Sequence, residues 1–245
     1  MPKALFTRPD FDIATKYLAE YGKLLTNYAL TKGYEVTDLY EVSATKINFE
    51  FEIGDTDVFL GFGHGNADKL TGQNLEVILQ SHLNSNRLSG KKCFLGSCHT
   101  GADLGPTMVS ETCPEFYGYK EDFTFLYHPD YYANGQYLED PYAKPFFDSL
   151  IVTGYSLLDQ KTPAQIYSDQ IAAYHKWWDY WITQEDPMAD DVLTWLNWNE
   201  NNYVAITPTS MQSGASETSA SLTELAKLAI PVGIVALFLI FNPTK

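Results

Sequence analysis

The 245-residue chain is long enough for one sizeable domain, and its hydrophobic content of 45%, with 15% aromatic residues, excludes general disorder. Its 16 basic and 31 acidic residues give a formal net charge of −15, which argues against nucleic acid as a partner. An acidic surface of this kind keeps a protein soluble and also attracts basic substrates. The three cysteines form no CxxC pair and residues 1–6 lack a signal-peptide pattern, so we expect a reducing compartment.

The first half of the chain is predicted to alternate strands with helices. Apolar runs predict strands at 3–7, 35–42, 57–62, 92–97 and 115–119. Apolar residues at helical spacing predict helices at 11–32, at 75–83, and in a stretch that begins just after Cys98 and continues to Val109. Alternation of this kind is typical of a parallel sheet with right-handed crossovers.

The second half is predicted to be mainly helical. Residues 122–145, rich in Tyr, Pro, Asp and Asn, are expected to form a long loop. Helical spacing follows at 144–157, 162–181 and 189–198, and the aromatic stripe at 177–181 is more typical of helix packing than of a ligand cage. Residues 1–206 are therefore expected to form one α/β domain, a three-layer α/β/α sandwich with a mostly parallel sheet and additional C-terminal helices.

The composition changes abruptly after residue 206. Residues 207–224 are dominated by Ser, Thr, Gly and Ala and predict a flexible linker. Residues 228–241 are uncharged and almost wholly apolar; as a helix they would span about 21 Å, less than the roughly 30 Å hydrocarbon core of a bilayer. Residues 225–227 lengthen this segment, since Lys227 can snorkel. We expect 225–241 to be a membrane anchor with the domain on the cytoplasmic side; the alternative is a helix docked on the domain or on another subunit.

Two apolar runs end in side chains that carry chemistry. VFLGFGHG at 58–65 delivers the imidazole of His64, and CFLGSCHTG at 93–101 delivers the thiol of Cys98. Functional groups collect at the carboxyl ends of parallel strands, so these two side chains are expected to share a crevice. A thiol near its ordinary pKa is mostly protonated at neutral pH, and a nearby imidazole raises its thiolate fraction. The sequence therefore predicts Cys98 as a nucleophile and His64 as its base.

Backbone groups beside this pair are the expected oxyanion hole. Gly65 has no side chain, so its N–H can approach a substrate carbonyl, and the N–H of Cys98 is the second expected donor. A helix beginning after Cys98 would direct further N–H groups at the sulfur and lower the thiol pKa. Gly96 and Gly101 are expected to keep the pocket floor open. No ligand pairs are spaced for tetrahedral zinc, and we expect no metal and no cofactor.

The remaining thiols and imidazoles are weaker candidates for this chemistry. Cys93 lies inside a predicted strand and is expected to be a small buried hydrophobe, and Cys113 is expected to be structural. The other histidines are predicted to be surface or satisfied core residues, namely His82, His99, His128 and His175.

These motifs resemble those of the cysteine peptidases with the caspase-like fold, a clan that includes caspases, metacaspases, legumains, separases, clostripain and gingipains. The clan's shared mark is an apolar run ending in His-Gly and a later one ending in a small residue and Cys, which residues 58–65 and 93–98 match. GSCHTG at 96–101 is similar to the metacaspase block DSCHSG. Residues 4–11 and the short separation of His64 from Cys98 are most similar to the gingipain type. The resemblance covers about residues 3–175.

The resemblance implies a His64–Cys98 dyad that hydrolyses peptide bonds of a peptide or protein through a thioester acyl-enzyme. Clan members place an S1-pocket residue just after the first strand, where this chain offers Arg8, suited to an acidic P1 side chain, and Asp10, suited to a basic one. Both are also ordinary turn residues; the acidic net charge favours Asp10. Gly96 stands where metacaspases carry an acidic residue of the S1 pocket, so a basic preference loses one determinant.

Two other functions are compatible with these residues. One is a catalytically silent caspase-like scaffold or adaptor, and the other is a small-molecule hydrolase or acyltransferase that uses the same dyad. A peptidase differs from both in needing an open groove with an edge strand that can pair with an extended peptide.

Overall fold

The computed structural model describes residues 1–213 and 235–238. The strands are β1 (Lys3–Arg8), β2 (Glu35–Tyr40), β3 (Val58–Phe62), β4 (Gly65–Asn66), β5 (Lys69–Thr71), β6 (Val77–Gln80), β7 (Lys92–Gly96), β8 (Phe116–Tyr119), β9 (Thr124–Tyr127), β10 (Tyr203–Ile206) and β11 (Val235–Phe238). The helices are α1 (Ile13–Thr31), α2 (Lys46–Glu52), α3 (Leu104–Ser110), α4 (Pro129–Ala133), α5 (Lys144–Leu150), α6 (Val152–Leu158), α7 (Pro163–Trp181), α8 (Ala189–Asn202) and α9 (Pro208–Ser213).

A six-stranded sheet organises the molecule, in the order β10-β8-β7-β3-β1-β2. All neighbouring pairs are parallel except β10 with β8, which is antiparallel. A small antiparallel sheet joins β4, β5 and β6, and β9 pairs antiparallel with β11. The fold is therefore α/β with a mostly parallel sheet, as predicted.

Both faces of the large sheet carry an apolar core, because successive side chains of a strand point to opposite faces. On one face, Phe6 and Phe62 pack with residues of α1, α5 and α6 such as Tyr17 and Phe147. On the opposite face, the strands pack against α2, α3 and the small sheet through residues that include Leu5, Phe59, Leu95, Phe49, Leu70, Leu104 and Met108. Helices on both faces fit the predicted three-layer arrangement.

Several local predictions are wrong. The stretch predicted as a helix at 75–83 contains strand β6, and Leu75 and His82 near its ends have φ values of 66° and 59°, which a right-handed helix cannot contain. The expected loop at 122–145 contains β9 and α4, and Pro129 begins α4 at a position where a missing N–H costs no helical bond. The single helix expected at 144–157 is two helices, α5 and α6.

The predicted linker and anchor lie largely outside the described residues. The linker at 207–224 begins with helix α9 rather than with irregular chain. Of the anchor expected at 225–241, the structure describes only β11, which is a strand and not a helix. Within residues 1–213 and 235–238, no helix has the length and apolar character needed to cross a bilayer.

Candidate active site at the carboxyl edge of the sheet

The structure brings the exits of β3 and β7 side by side. These strands are parallel neighbours, and their last residues, Phe62 and Gly96, are register partners. His64 and Cys98 each follow two residues later. A side chain on Gly65 would lie 2.6 Å from the carbonyl oxygen of Cys98, so the two loops are in backbone contact and the glycine is required for it.

His64 is held by a residue that was not predicted as part of the site, Asp12. The Nε2 atom of His64 lies 2.6 Å from a carboxylate oxygen of Asp12. The other carboxylate oxygen of Asp12 accepts the N–H of Thr15 and caps α1, which fixes the carboxylate in place. The His64 side chain is buried, and its Nδ1 has no hydrogen-bond partner within the described part of the chain. Asp12 thus fixes the orientation of the imidazole through Nε2, and Nδ1 makes no hydrogen bond to the described residues.

The contact with His64 favours the ionised form of the Asp12 carboxyl. Burial raises the pKa of the Asp12 carboxyl, but the hydrogen bond and charge of His64, together with the hydrogen bonds from Thr15, outweigh it, and the net pKa is below the ordinary value of 3.8. The sequence could mark Asp12 only as an N-cap of the first helix; its place beside His64 follows from the pairing of β1 with β3 in the structure.

Cys98 lies close to this pair but is enclosed. Its side chain is fully buried, its Sγ accepts the N–H of Phe123 at 3.2 Å, and the thiol donates to the Phe123 carbonyl at 3.8 Å. With Nδ1 of His64 unpartnered and Nε2 on Asp12, no hydrogen bond joins His64 to Cys98 in this structure. The sulfur contacts the backbone segment that leads into β9.

The helix expected directly after Cys98 is absent. Residues 97–103 form bends and turns, and α3 begins at Leu104. His99 has a φ of 58°, and its N–H donates to the carbonyl of Glu121, so this amide does not point at the sulfur. The helix start predicted just after Cys98 is therefore wrong, and no helix N-terminus lies directly after the sulfur. The His99 ring pairs with Asp122 at 2.8 Å.

Burial raises the thiol pKa of the other two cysteines, Cys93 and Cys113. All three thiols are outside disulfides and buried. Burial raises the pKa of Cys113 to about 12 and that of Cys93 well above its ordinary value, so both are thiols at neutral pH.

Arg8, one of the two expected S1 residues, is buried, and its guanidinium is hydrogen-bonded within the fold. Its Nε donates to the carboxylate of Asp38 at 2.9 Å, its Nη1 donates to the Ala19 carbonyl at 2.7 Å, and its guanidinium lies 4.6 Å from the ring centre of Tyr40. Only 4% of Arg8 is exposed. Its contacts join β1, β2 and α1 within the core of the fold.

Asp10, the second expected S1 residue, lies at the same edge of the sheet as Asp12. Its carboxylate accepts from Tyr40 at 3.0 Å and pairs with Lys16 at 3.1 Å. Its backbone N–H donates to the side chain of Gln73 at 2.8 Å. Asp10 is thus positioned by three neighbours, and an incoming basic group would compete with Lys16.

Gly96, expected to contribute to an open pocket floor, lies under an aromatic ring instead. A side chain there would meet the ring of Phe62 at 2.7 Å. Gly101 likewise lies against Val204, 2.5 Å from the position of an added Cβ. Both glycines allow close packing, and the expectation of an open floor beneath the two catalytic candidates is wrong.

Comparisons with known proteins do not extend these observations: no family model matches the chain, and no curated protein sequence matches it.

Within the described residues, no group of three or more His, Cys, Asp and Glu side chains is arranged to hold a metal ion.

The contacts of Arg8 predict a structural role that stability measurements can test. Arg8→Met keeps the apolar stem but leaves Asp38 and the Ala19 carbonyl without their donor, so we expect the free energy of unfolding in urea to fall by about 2–3 kcal/mol. Lys23→Met, on the exposed side of α1, is the control and should change it by less than about 0.5 kcal/mol. Equal effects of the two substitutions would contradict the structural role.

The lowered pKa of Asp12 predicts a pH dependence of stability. The folded protein favours the ionised carboxylate, so its contribution is complete above the ordinary pKa of 3.8 and is lost as the pH falls through the lower, folded value. The free energy of unfolding, measured in urea at pH values from about 5 to 3, should therefore fall more steeply in wild type than in Asp12→Asn, in which asparagine still caps α1. Parallel curves for the two proteins would show that Asp12 gains nothing from ionisation.

Proposed function

We propose that this chain is a cysteine endopeptidase of the caspase-like clan, similar to the gingipain type, in which Cys98 is the nucleophile, His64 the base and Asp12 the residue that orients His64. The observation that carries the proposal is the His64 imidazole, which is fixed through Nε2 by Asp12 with Nδ1 unpartnered, beside the loop that delivers a thiol. Nucleophile, base and orienting carboxylate are the three roles that such catalysis requires.

The proposed reaction is peptide-bond hydrolysis in two steps, with His64 transferring the proton in each. Cys98 loses its proton to His64, and its sulfur attacks the scissile carbonyl carbon, whose oxygen is bound by the N–H groups of Gly65 and Cys98. The C–N bond breaks as His64 returns the proton to the leaving amine, and a thioester remains. Water then attacks the thioester, His64 accepts its proton, and the carboxylate product leaves with the Cys98 thiol restored.

The buried thiol favours a second candidate, a catalytically silent caspase-like scaffold. Cys98 is 0% exposed and engaged with Phe123, and its neighbouring glycines are covered by packed side chains. In the peptidase, a substrate must replace the contact between Cys98 and Phe123. In the scaffold, this contact is permanent.

Specificity for a basic P1 side chain is proposed for Asp10 rather than for Arg8. Arg8 is buried and has its donors engaged, whereas Asp10 keeps its carboxylate beside Lys16 at the carboxyl edge of the sheet. A P1 lysine or arginine would take the place of Lys16 on that carboxylate. Gly96 supplies no carboxylate, so Asp10 acts alone in this proposal.

Attachment to a membrane is proposed for the C-terminal part of the chain. The support is the sequence of residues 225–241, which is apolar apart from Lys227 and follows a Ser/Thr-rich stretch. The domain would lie on the cytoplasmic side, in agreement with its reduced cysteines.

Thiol labelling tests the nucleophile. Wild type should be labelled by an acyloxymethyl-ketone or epoxide probe and should cleave members of a peptide library, whose P1 residues then report the specificity. Cys98→Ala should abolish both, while Cys93→Ala, which removes a thiol of raised pKa, should keep both. Labelling that survives in Cys98→Ala would overturn the assignment of Cys98 as the nucleophile. A wild type that neither labels nor cleaves would favour the scaffold.

A substitution at Asp12 tests the orientation of the base. Asp12→Asn keeps the cap of α1 but replaces the carboxylate that holds the imidazole, so we expect kcat/KM to fall on the order of 10²-fold or more while the protein still folds. Asp103→Asn, at the N-terminus of α3, is the control and should leave kcat/KM unchanged. An unchanged rate in Asp12→Asn would remove Asp12 from the proposed mechanism.

A further inference from the structure

Strand β9 has two edges with different partners. The N–H of its first residue, Thr124, donates to the side-chain oxygen of Asn199 at 2.9 Å, and the Thr124 carbonyl accepts from the same side chain at 2.7 Å. One amide side chain from α8 thus takes the place of a neighbouring strand at this edge. Successive residues of an extended strand direct their backbone groups to opposite edges, so Phe125 and Tyr127 direct theirs to the other edge.

The other edge of β9 is occupied by the C-terminal strand. β11 pairs with β9 antiparallel, with Leu237 opposite Phe125 and Val235 opposite Tyr127. Because Phe125 and Tyr127 direct their backbone groups toward β11, these two are the hydrogen-bonded pairs of the ladder.

The same edge leads to the thiol of Cys98. Phe123 lies two residues before Phe125, and its N–H and carbonyl engage the Cys98 sulfur. The chain of β11 runs from Val235 toward Phe238, whose partner Thr124 adjoins Phe123. A peptide extended along this edge in the direction of β11 therefore arrives at the sulfur with its carboxyl end leading.

We propose that the edge of β9 opposite Asn199 is the peptide-binding edge of the active site and that residues 235–238 occupy it as an intrachain competitor of substrate. The competitor role rests on the proposed peptidase function, whereas the pairing of β11 with β9 does not depend on it. Main-chain hydrogen bonds supply the affinity in such strand addition, so an extended apolar segment of this chain and an extended segment of another protein can bind in the same way. In this position the C-terminal segment excludes other peptides from the approach to Cys98.

Two neighbouring proline substitutions in the full chain form a matched test. Leu237→Pro removes an N–H that points to Phe125, whereas Ala236→Pro removes one that points away from β9, where a strand tolerates proline. In hydrogen exchange, the amides of Phe125 and Tyr127 should exchange at least about tenfold faster in Leu237→Pro than in wild type, as expected for the loss of a ladder hydrogen bond. Ala236→Pro should resemble wild type.

Cleavage of a soluble peptide substrate is measured on the same three proteins. The initial rate should rise in Leu237→Pro and stay at the wild-type value in Ala236→Pro. Equal exchange at Phe125 in all three proteins would overturn the strand pairing, and faster exchange without a faster rate would overturn the competitor role. No cleavage by any of the three, wild type included, would overturn the proposed function, and the exchange data alone would then decide the pairing.

Varying the protein concentration shows whether the strand paired with β9 comes from the same chain or from a second copy. Intrachain pairing gives the same protection of Phe125 at protein concentrations about a hundredfold apart, because it is unimolecular. Protection that rises with concentration would show that a second copy supplies the strand, and would overturn the intrachain proposal.

Discussion

The parallel pairing of β1, β3 and β7 is the constraint on which the candidate site depends. Parallel neighbours end at the same edge of a sheet, so the turn after β1, the loop after β3 and the loop after β7 must meet there. They bring Asp12, His64 and Cys98 from widely separated parts of the chain. A shift of one residue in either pairing would turn the strands' buried aromatic residues to the wrong face, so the core that fixes the register also fixes the site.

Close backbone packing then shapes what the site can do. Gly65 lies against the Cys98 carbonyl, and Gly96 lies under the ring of Phe62, so neither position has room for a side chain. Asp12 adds a second constraint, since it caps α1 and holds the imidazole with the same carboxylate. The His64 imidazole is therefore fixed by the fold, whereas the Cys98 thiol is covered by Phe123, which belongs to the segment between β8 and β9.

The sequence predicted the elements that rest on long, regular patterns and missed those that rest on tertiary contact. The strands ending near His64 and Cys98 were predicted because continuous apolar runs between turn signals are typical of a parallel sheet. Asp12 was missed because its partner is 52 residues away and only the pairing of β1 with β3 reveals it. Strand β9 was missed because Asn199, rather than a neighbouring strand, satisfies one of its edges, and its short aromatic run resembles a loop.

The C-terminal segment and the buried thiol are linked by geometry. Strand β11 follows the one edge of β9 that continues to the Cys98 sulfur, so access to the thiol and the position of residues 235–238 are not independent. A segment that pairs with β9 cannot at the same time span a bilayer as a helix, because its backbone N–H groups have one partner each. Insertion of residues 225–241 into a membrane would therefore remove the strand from β9. The proposed membrane attachment would in this way also uncover the edge of β9 that leads to Cys98, the proposed nucleophile.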